Sequence, residues 1–264
     1  MYKFKLNLRK SYLSGFIFLN ILLGTLVSEE SSLNFGGVSG WNNLVYTNNV
    51  EERDGKFGFR SLGLSSSAQQ ITEMTDMYLS FDSKDVIEET GAYSVVKSSI
   101  VHLDADKAKF GEGAALCTYN SNKESLILKP AKGAFFAGSK ILKSFTIEFW
   151  LCPQTTESGS TILRWWTSLV DGRKTMYQNI AAGIFNNKME WSFLNIWQDK
   201  NNKGIDVRLS GKSNIIPEIW SHHLITYDDS TGLLEYRMNG RSEDIIYMTD
   251  TGRESNQILY SVLG

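Results

Sequence analysis

The chain of 264 residues is predicted to be all-β, an antiparallel two-sheet β-sandwich behind an N-terminal signal segment and an extension. Three observations predict it. From Met77 onward apolar and polar residues alternate with the period of two that half-buried strands require. Turn-forming stretches such as Phe185-Asn186-Asn187 and Asn239-Gly240 recur between these runs, and Asn-Gly tolerates the positive φ of hairpin turns. Beyond residue 30 only Asp82 to Glu89 offers a hint of helical periodicity. Many short strands with regular turn signals describe a sandwich.

The first segment reads differently. Lys3, Lys5, Arg9 and Lys10 form a cationic stretch, and Tyr12 to Val27 is uncharged and mostly apolar. That is the layout of a secretory signal, and the run is shorter than the roughly 20 residues a spanning helix needs. The expected organisation is 1–28 signal peptide or uncleaved anchor, 29–76 extension with short strands, and 77–264 sandwich. The expected location is therefore exported: periplasm, outer envelope or extracellular, with membrane contact only through the N-terminal segment. Taking four basic residues from 27 leaves 23 against 29 acidic ones, a net charge of −6 for the mature part. No basic stripe is available for phosphates, so nucleic acid is excluded as a partner. Cys117 and Cys152 are the only cysteines. Export permits a disulfide between them, and two buried thiols are the equal alternative.

The extension carries Gly36-Gly37-Val38-Ser39-Gly40, the turn pair Asp54-Gly55 and an alternating run from Phe57 to Leu64. Within the main body, Phe145, Ile147, Phe149 and Leu151 are expected on one face of a strand. Pro153 should stop that strand, since it has no N–H for the ladder. Ile180 to Ile184 and Lys188 to Ile196 flank a tight turn. Asp206, Arg208 and Ser210 alternate with Val207 and Leu209. Leu233 to Met238 and Ile245 to Met248 flank Asn239-Gly240 and a few polar residues.

Five motifs resemble the laminin-G-like jelly-roll domains of the concanavalin A-like superfamily, in their bacterial exported form. Tyr78-Leu79-Ser80-Phe81-Asp82 looks like the opening strand. Phe110 to Leu116 is similar to the F-G-x-A-L strand, and Phe145 to Pro153 to the F-T-I-x-x-W-x-x-P strand. Trp220 to Asp228 resembles W-x-H-v-a-x-t-y-d, and Thr231 to Gly240 matches t-g-x-l-x-l-Y-v-N-G. The resemblance covers about residues 77–264. It implies closing strands after the last hairpin, so a chain ending at Leu263-Gly264 is expected to lack its final strand or strands. An edge left open in this way invites pairing with another chain.

Catalytic patterns are largely missing. Sandwich glycosidases of the superfamily place carboxylates as E-x-D-x-(x)-E, yet Glu52-Arg53-Asp54 is followed by Lys56 and Phe57. His222 and His223 are adjacent and on a strand point to opposite faces, so they do not share a metal. Gly37-Val38-Ser39-Gly40 runs into Trp41 where a nucleophile elbow needs glycine. Ser210-Gly211-Lys212-Ser213 lacks the leading glycine of a phosphate loop. No enzyme is expected.

Aromatic residues carry the remaining signal. Seven tryptophans suit sugars, whose C–H faces stack on rings while their hydroxyls pair with Asp, Asn and Gln. The candidate ligand-binding residues are Trp165, Trp166, Tyr177, Trp197, Asp199 and Asn201, the last three on an expected surface loop. Trp150, Trp191 and Trp220 fall on strands and are assigned to packing. No cofactor is expected beyond a structural Ca²⁺, for which Asp82, Asp228 and Asp229 are the candidate oxygen donors. The sequence thus points to a non-catalytic exported module that recognises a glycan or an envelope or extracellular protein through sandwich loops. The alternative is a structural envelope component pairing through an open sheet edge, and the least favoured reading is a glycoside hydrolase.

Overall fold

A computed structural model describes residues 2–10, 50–54, 60–64, 71, 74–117, 126–171 and 174–264. The strands in chain order are β1 (Tyr2–Lys10), β2 (Val50–Asp54), β3 (Arg60–Leu64), β4 (Thr75–Leu79), β5 (Tyr93–Ser98) and β6 (Val101–Asp104). Next come β7 (Gly113–Cys117), β8 (Leu126–Pro130), β9 (Lys140–Ile141), β10 (Phe145–Pro153), β11 (Ser160–Asp171) and β12 (Lys174–Phe185). The last six are β13 (Lys188–Gln198), β14 (Gly204–Ser210), β15 (Ser221–Tyr227), β16 (Leu233–Met238), β17 (Arg241–Tyr247) and β18 (Tyr260–Leu263).

The chain divides into two units. One comprises 14–71 and the other 1–13 with 72–264. The described part of the first is the antiparallel pair β2–β3, running from Val50 opposite Leu64 to Asp54 opposite Arg60. Gly36 to Gly40, Trp41, Lys56 and Phe57 lie outside the described residues.

The second unit is the sandwich. Its larger sheet has the order β17-β16-β15-β10-β1-β7-β6, with β4 also on β1. Its smaller sheet has the order β11-β12-β13-β18-β9, with β14 also on β13. Among the described residues every inter-strand pairing is antiparallel, and β5–β8 forms a separate two-stranded ribbon. The region from Asp82 to Glu89 is bends and extended chain rather than helix.

Alternation sets the core. Phe145, Ile147, Phe149 and Leu151 are each no more than 1% exposed. They meet Met189, Trp191 and Phe193 of the facing sheet in one cluster. Phe149 lies 6.0 Å from Trp191, and Trp197 lies 5.3 Å from Tyr227, ring centre to ring centre. Strand β4 is buried along its whole length, so its alternation does not mark a solvent face. Asn186 and Asn187 both adopt positive φ, as do Asn239 and Gly240. Both are two-residue hairpin turns, closed by Phe185 opposite Lys188 and Met238 opposite Arg241. The polar residues after Asn239-Gly240 therefore belong to β17 rather than to the turn. After β17 the chain crosses back, and β18 joins the smaller sheet beside β13 and β9.

The cationic N-terminal stretch, expected as the start of a signal segment, forms β1 inside the larger sheet. The apolar run from Tyr12 to Val27 lies outside the described residues. Cys117 and Cys152 stand as thiols. Tyr2 pairs with Cys117 on one side of β1, and Lys3 pairs with Cys152 on the other. Two inter-strand spacings, about 10 Å, separate the cysteines, beyond the reach of a disulfide.

Candidate binding face

Strands β11 and β12 form a long hairpin in which alternate residues face outward. Trp165 and Trp166 therefore part company. Trp165 turns to the core side, where its ring stacks on Phe136 at 5.5 Å and its indole N–H donates to the Phe136 carbonyl at 3.2 Å. Trp166 faces solvent and is 71% exposed. It sits opposite Asn179, and the next outward pair is Ser168 opposite Tyr177. Tyr177 is itself 68% exposed. Two open rings thus stand on neighbouring strands, one diagonal step apart, close enough to share a ligand. Arg164 holds the adjoining position, its Nε donating to Asn179 Oδ1 at 3.0 Å.

Farther along this face the side chains shrink. Ala181 lies between Arg164 and Ser192, and Gly183 between Thr161 and Glu190. The result is a shallow depression of about 180 Å³, bordered by Phe185 and Glu190. Gly183 is required there, because a Cβ would approach the Ser160 carbonyl oxygen to 2.8 Å. Glu190 and Arg208, on β13 and β14, form an ion pair of 3.7 Å at the flank. The face from Tyr177 to Phe185 covers nine residues of β12, roughly 26 Å at strand rise. It offers stacking surfaces at one end, a small-residue floor, and amide, guanidinium and carboxylate groups along its length.

The other candidates fall elsewhere. Trp197 is fully buried against Phe193 and Tyr227, which corrects its assignment to a surface loop. Strand β13 continues to Gln198, so Trp197 is the last inward residue of a strand. Asp199 and Asn201 occupy the β13–β14 turn. There Asp199 Oδ1 accepts from the backbone N–H of Asn201 (2.8 Å) and Lys203 (2.9 Å). Those bonds, led by the Lys203 amide, hold its carboxyl below the usual range. Asp199 shapes its own turn.

Nor do the three acidic candidates for calcium converge. Asp82 Oδ1 accepts from Glu112 and Gly113 N–H at the start of β7. Asp229 bonds Ser144 and pairs with Lys143 at 3.3 Å. Asp228 caps the turn after β15 through Ser230 and Thr231. Burial pushes the Asp228 pKa up, but those hydrogen bonds outweigh it and the net direction is down. In register, Leu79 of β4 aligns through Leu6 with Phe149, whereas Tyr227 aligns with Phe145. Four residues of β10, roughly 13 Å, separate the levels from which Asp82 and the Asp228–Asp229 pair depart. Among the described residues no group of three His, Cys, Asp or Glu side chains could hold a metal ion. Among the same residues no helix is long and apolar enough to cross a membrane.

His222 and His223 take opposite faces, as alternation requires. His222 Nε2 lies 3.3 Å from Glu148 Oε2 and its ring packs on Trp150. His223 is sealed in the core, with Nε2 2.8 Å from Ser221 Oγ and Nδ1 2.8 Å from the Tyr236 hydroxyl. Ser221 also donates to the Leu151 carbonyl at 3.3 Å. One arrangement satisfies the chain: Tyr236 O–H donates to Nδ1, Nε2–H donates to Ser221, and Ser221 donates to Leu151. A serine beside a histidine suggests a nucleophile and its base. Yet Ser221 is 3% and His223 0% exposed, and burial lowers the imidazole pKa to about 3. The network fixes the core and has no access to a substrate. The chain matches no protein-family model, no curated protein and no solved structure.

Proposed function

We propose that this chain is a non-catalytic exported binding module of laminin-G-like type that holds a glycan on the outer face of its smaller sheet. The observation that carries the proposal is the placement of Trp166 and Tyr177, both exposed and diagonal to each other. Beside them lies a polar Arg164–Asn179 pair. Exposed aromatic surface next to ordered polar groups is what a sugar ring requires: a face to stack on and partners for its hydroxyls. The binding element is thus the sheet face rather than the loops. The motifs that resemble the laminin-G-like family support the class, falling on or beside β4, β7, β10, β15 and β16, but a fold class does not choose a ligand.

The test is a polysaccharide and glycan array, followed by calorimetry on any hit. The wild-type chain is expected to retain at least one glycan, and Trp166→Ala with Tyr177→Ala to abolish retention without lowering the melting temperature. A hit that survives the double substitution, or an array with no hit, would sink the proposal. A structural component pairing through strands is the second reading. It is favoured by the way β1 joins two parts of the larger sheet.

A further inference from the structure

Strand β1 pairs with β10 over nine consecutive residues, from Tyr2 opposite Pro153 to Lys10 opposite Phe145. On its other edge Tyr2 to Phe4 pair with β7, and Leu6 to Arg9 pair with β4. Among the described residues β4 pairs with no other strand, and β6–β7 reach β10 only through β1. The larger sheet is therefore two pieces joined by one segment. That segment is not tied in by a hairpin: residues 11–74 separate it from β4.

The sequence of β1 matches its place. Tyr2, Phe4, Leu6 and Leu8 alternate with Lys3, Lys5, Asn7 and Arg9. Register sets the positions of Phe4, Leu6 and Leu8 opposite Leu151, Phe149 and Ile147, the core-facing residues of β10. A shift of one residue would reverse every position, so the alternation specifies this alignment. Charge agrees as well. Glu148 is 9% exposed and stands opposite Asn7, which makes Lys5 and Arg9 its two diagonal neighbours on β1. A nearly buried carboxylate favours cationic residue types at the positions around it.

We propose that the gap between β10 and the β4–β7 edge is a strand-binding slot, with Tyr2–Lys10 as its tethered occupant. The ligand class is an extended peptide with apolar residues at alternate positions and Lys or Arg between them. The same residues that read as the cationic start of an export signal complete the sheet. While they are attached the slot is filled within the chain, because the tether keeps their local concentration high.

Cys152 provides the test, because Lys3 lies opposite it. Facing residues of an antiparallel pair have Cα atoms about 4.5–5.5 Å apart, within disulfide range. The full-length chain carrying Lys3→Cys and Cys117→Ser, with its first ten residues verified by mass, is oxidised gently. A bond between positions 3 and 152 of one chain is expected, at least tenfold more abundant than the bond formed by Phe4→Cys. Equal yields, or no bond, would overturn the register and with it the slot. A bond found only between two chains would overturn the tethered occupant in favour of a strand-swapped dimer.

A second measurement asks whether the slot takes a free strand. The synthetic peptide of residues 2–10 with Lys3→Cys, its thiol activated as the mixed disulfide with 2-thiopyridine, is added in excess to the full-length Cys117→Ser chain, and its capture by Cys152 is timed by the thiopyridone that the Cys152 thiolate displaces. Leu6→Asp in the protein, which weakens the tethered strand, is expected to speed capture at least tenfold. A peptide with its apolar and cationic positions scrambled should capture no faster than a thiol reagent of similar size. An unchanged rate with Leu6→Asp, or equal capture by the scrambled peptide, would refute the proposal.

Discussion

Acid should weaken this fold through one residue in particular. His223 is fully buried, and its pKa is lowered from 6.5 to about 3, by burial first and by the neighbouring His222 second. Below pH 6.5 the unfolded chain binds a proton that the folded chain refuses. Stability from this group is complete above pH 6.5 and falls as the pH drops toward 3. The slope is about 1.4 kcal/mol for each pH unit, or about 5 kcal/mol across the whole window. Asp199, Asp228 and Glu243 have lowered pKa values and lose their contributions only near and below the ordinary carboxylate range. The interval from pH 6.5 to 5 therefore isolates histidine, and the expected loss there is about 2 kcal/mol. Urea unfolding at half-unit steps over that interval measures it, with His223→Gln as the reference. The glutamine variant starts less stable because it cannot reproduce both the Ser221 and the Tyr236 bonds, but its curve should lack the slope that His223 adds. Parallel curves for the two proteins would refute the argument. So would an imidazole resonance of His223 that titrates near 6.5.

Two further substitutions separate core from surface. Trp197→Ala should cost about 3–5 kcal/mol, as large aromatic truncations in cores do. Trp166→Ala should stay within about 0.5 kcal/mol of wild type, and paired chemical denaturation curves decide between these expectations. Gln178→Leu should cost about 3 kcal/mol by the same measurement. The Gln178 amide donates to the carbonyls of Asn195 and Val262, and its oxygen accepts from Gly264 N–H. A leucine would take the side-chain partner from three partly buried backbone groups.

Most of the sandwich was legible because its signal is periodic. Phe145 to Leu151, Ile180 to Ile184 and Asp206 to Ser210 read directly as faces, and the asparagine and glycine turns fixed two hairpins. What escaped had physical causes. Trp197 stands beside Gln198 and Asp199, and polar neighbours made the end of a strand look like a loop. The departure from regular pairing lies at Asn195, whose positive φ accompanies a shift in register between Leu194 and Trp197. Trp165 and Trp166 were legible as one inward and one outward ring. Which was which depended on Phe136, nearly thirty residues away, and no local pattern carries that. Strand β1 was hidden by its charges. Lysines and arginines ahead of an apolar run read as a leader, although every second residue from Tyr2 to Leu8 is apolar. The Ser221–His223–Tyr236 chain could not be inferred at all, since Tyr236 comes from a neighbouring strand.

The unequal exposure of the indoles has an optical consequence. Trp191 and Trp197 are fully buried, and Trp166 is the most open of the described tryptophans. Iodide in the solvent should therefore extinguish the red-shifted share of the emission first and leave a blue, protected remainder. A ligand settling on the smaller sheet would shield the red share alone, so its arrival could be followed by fluorescence without attaching a dye.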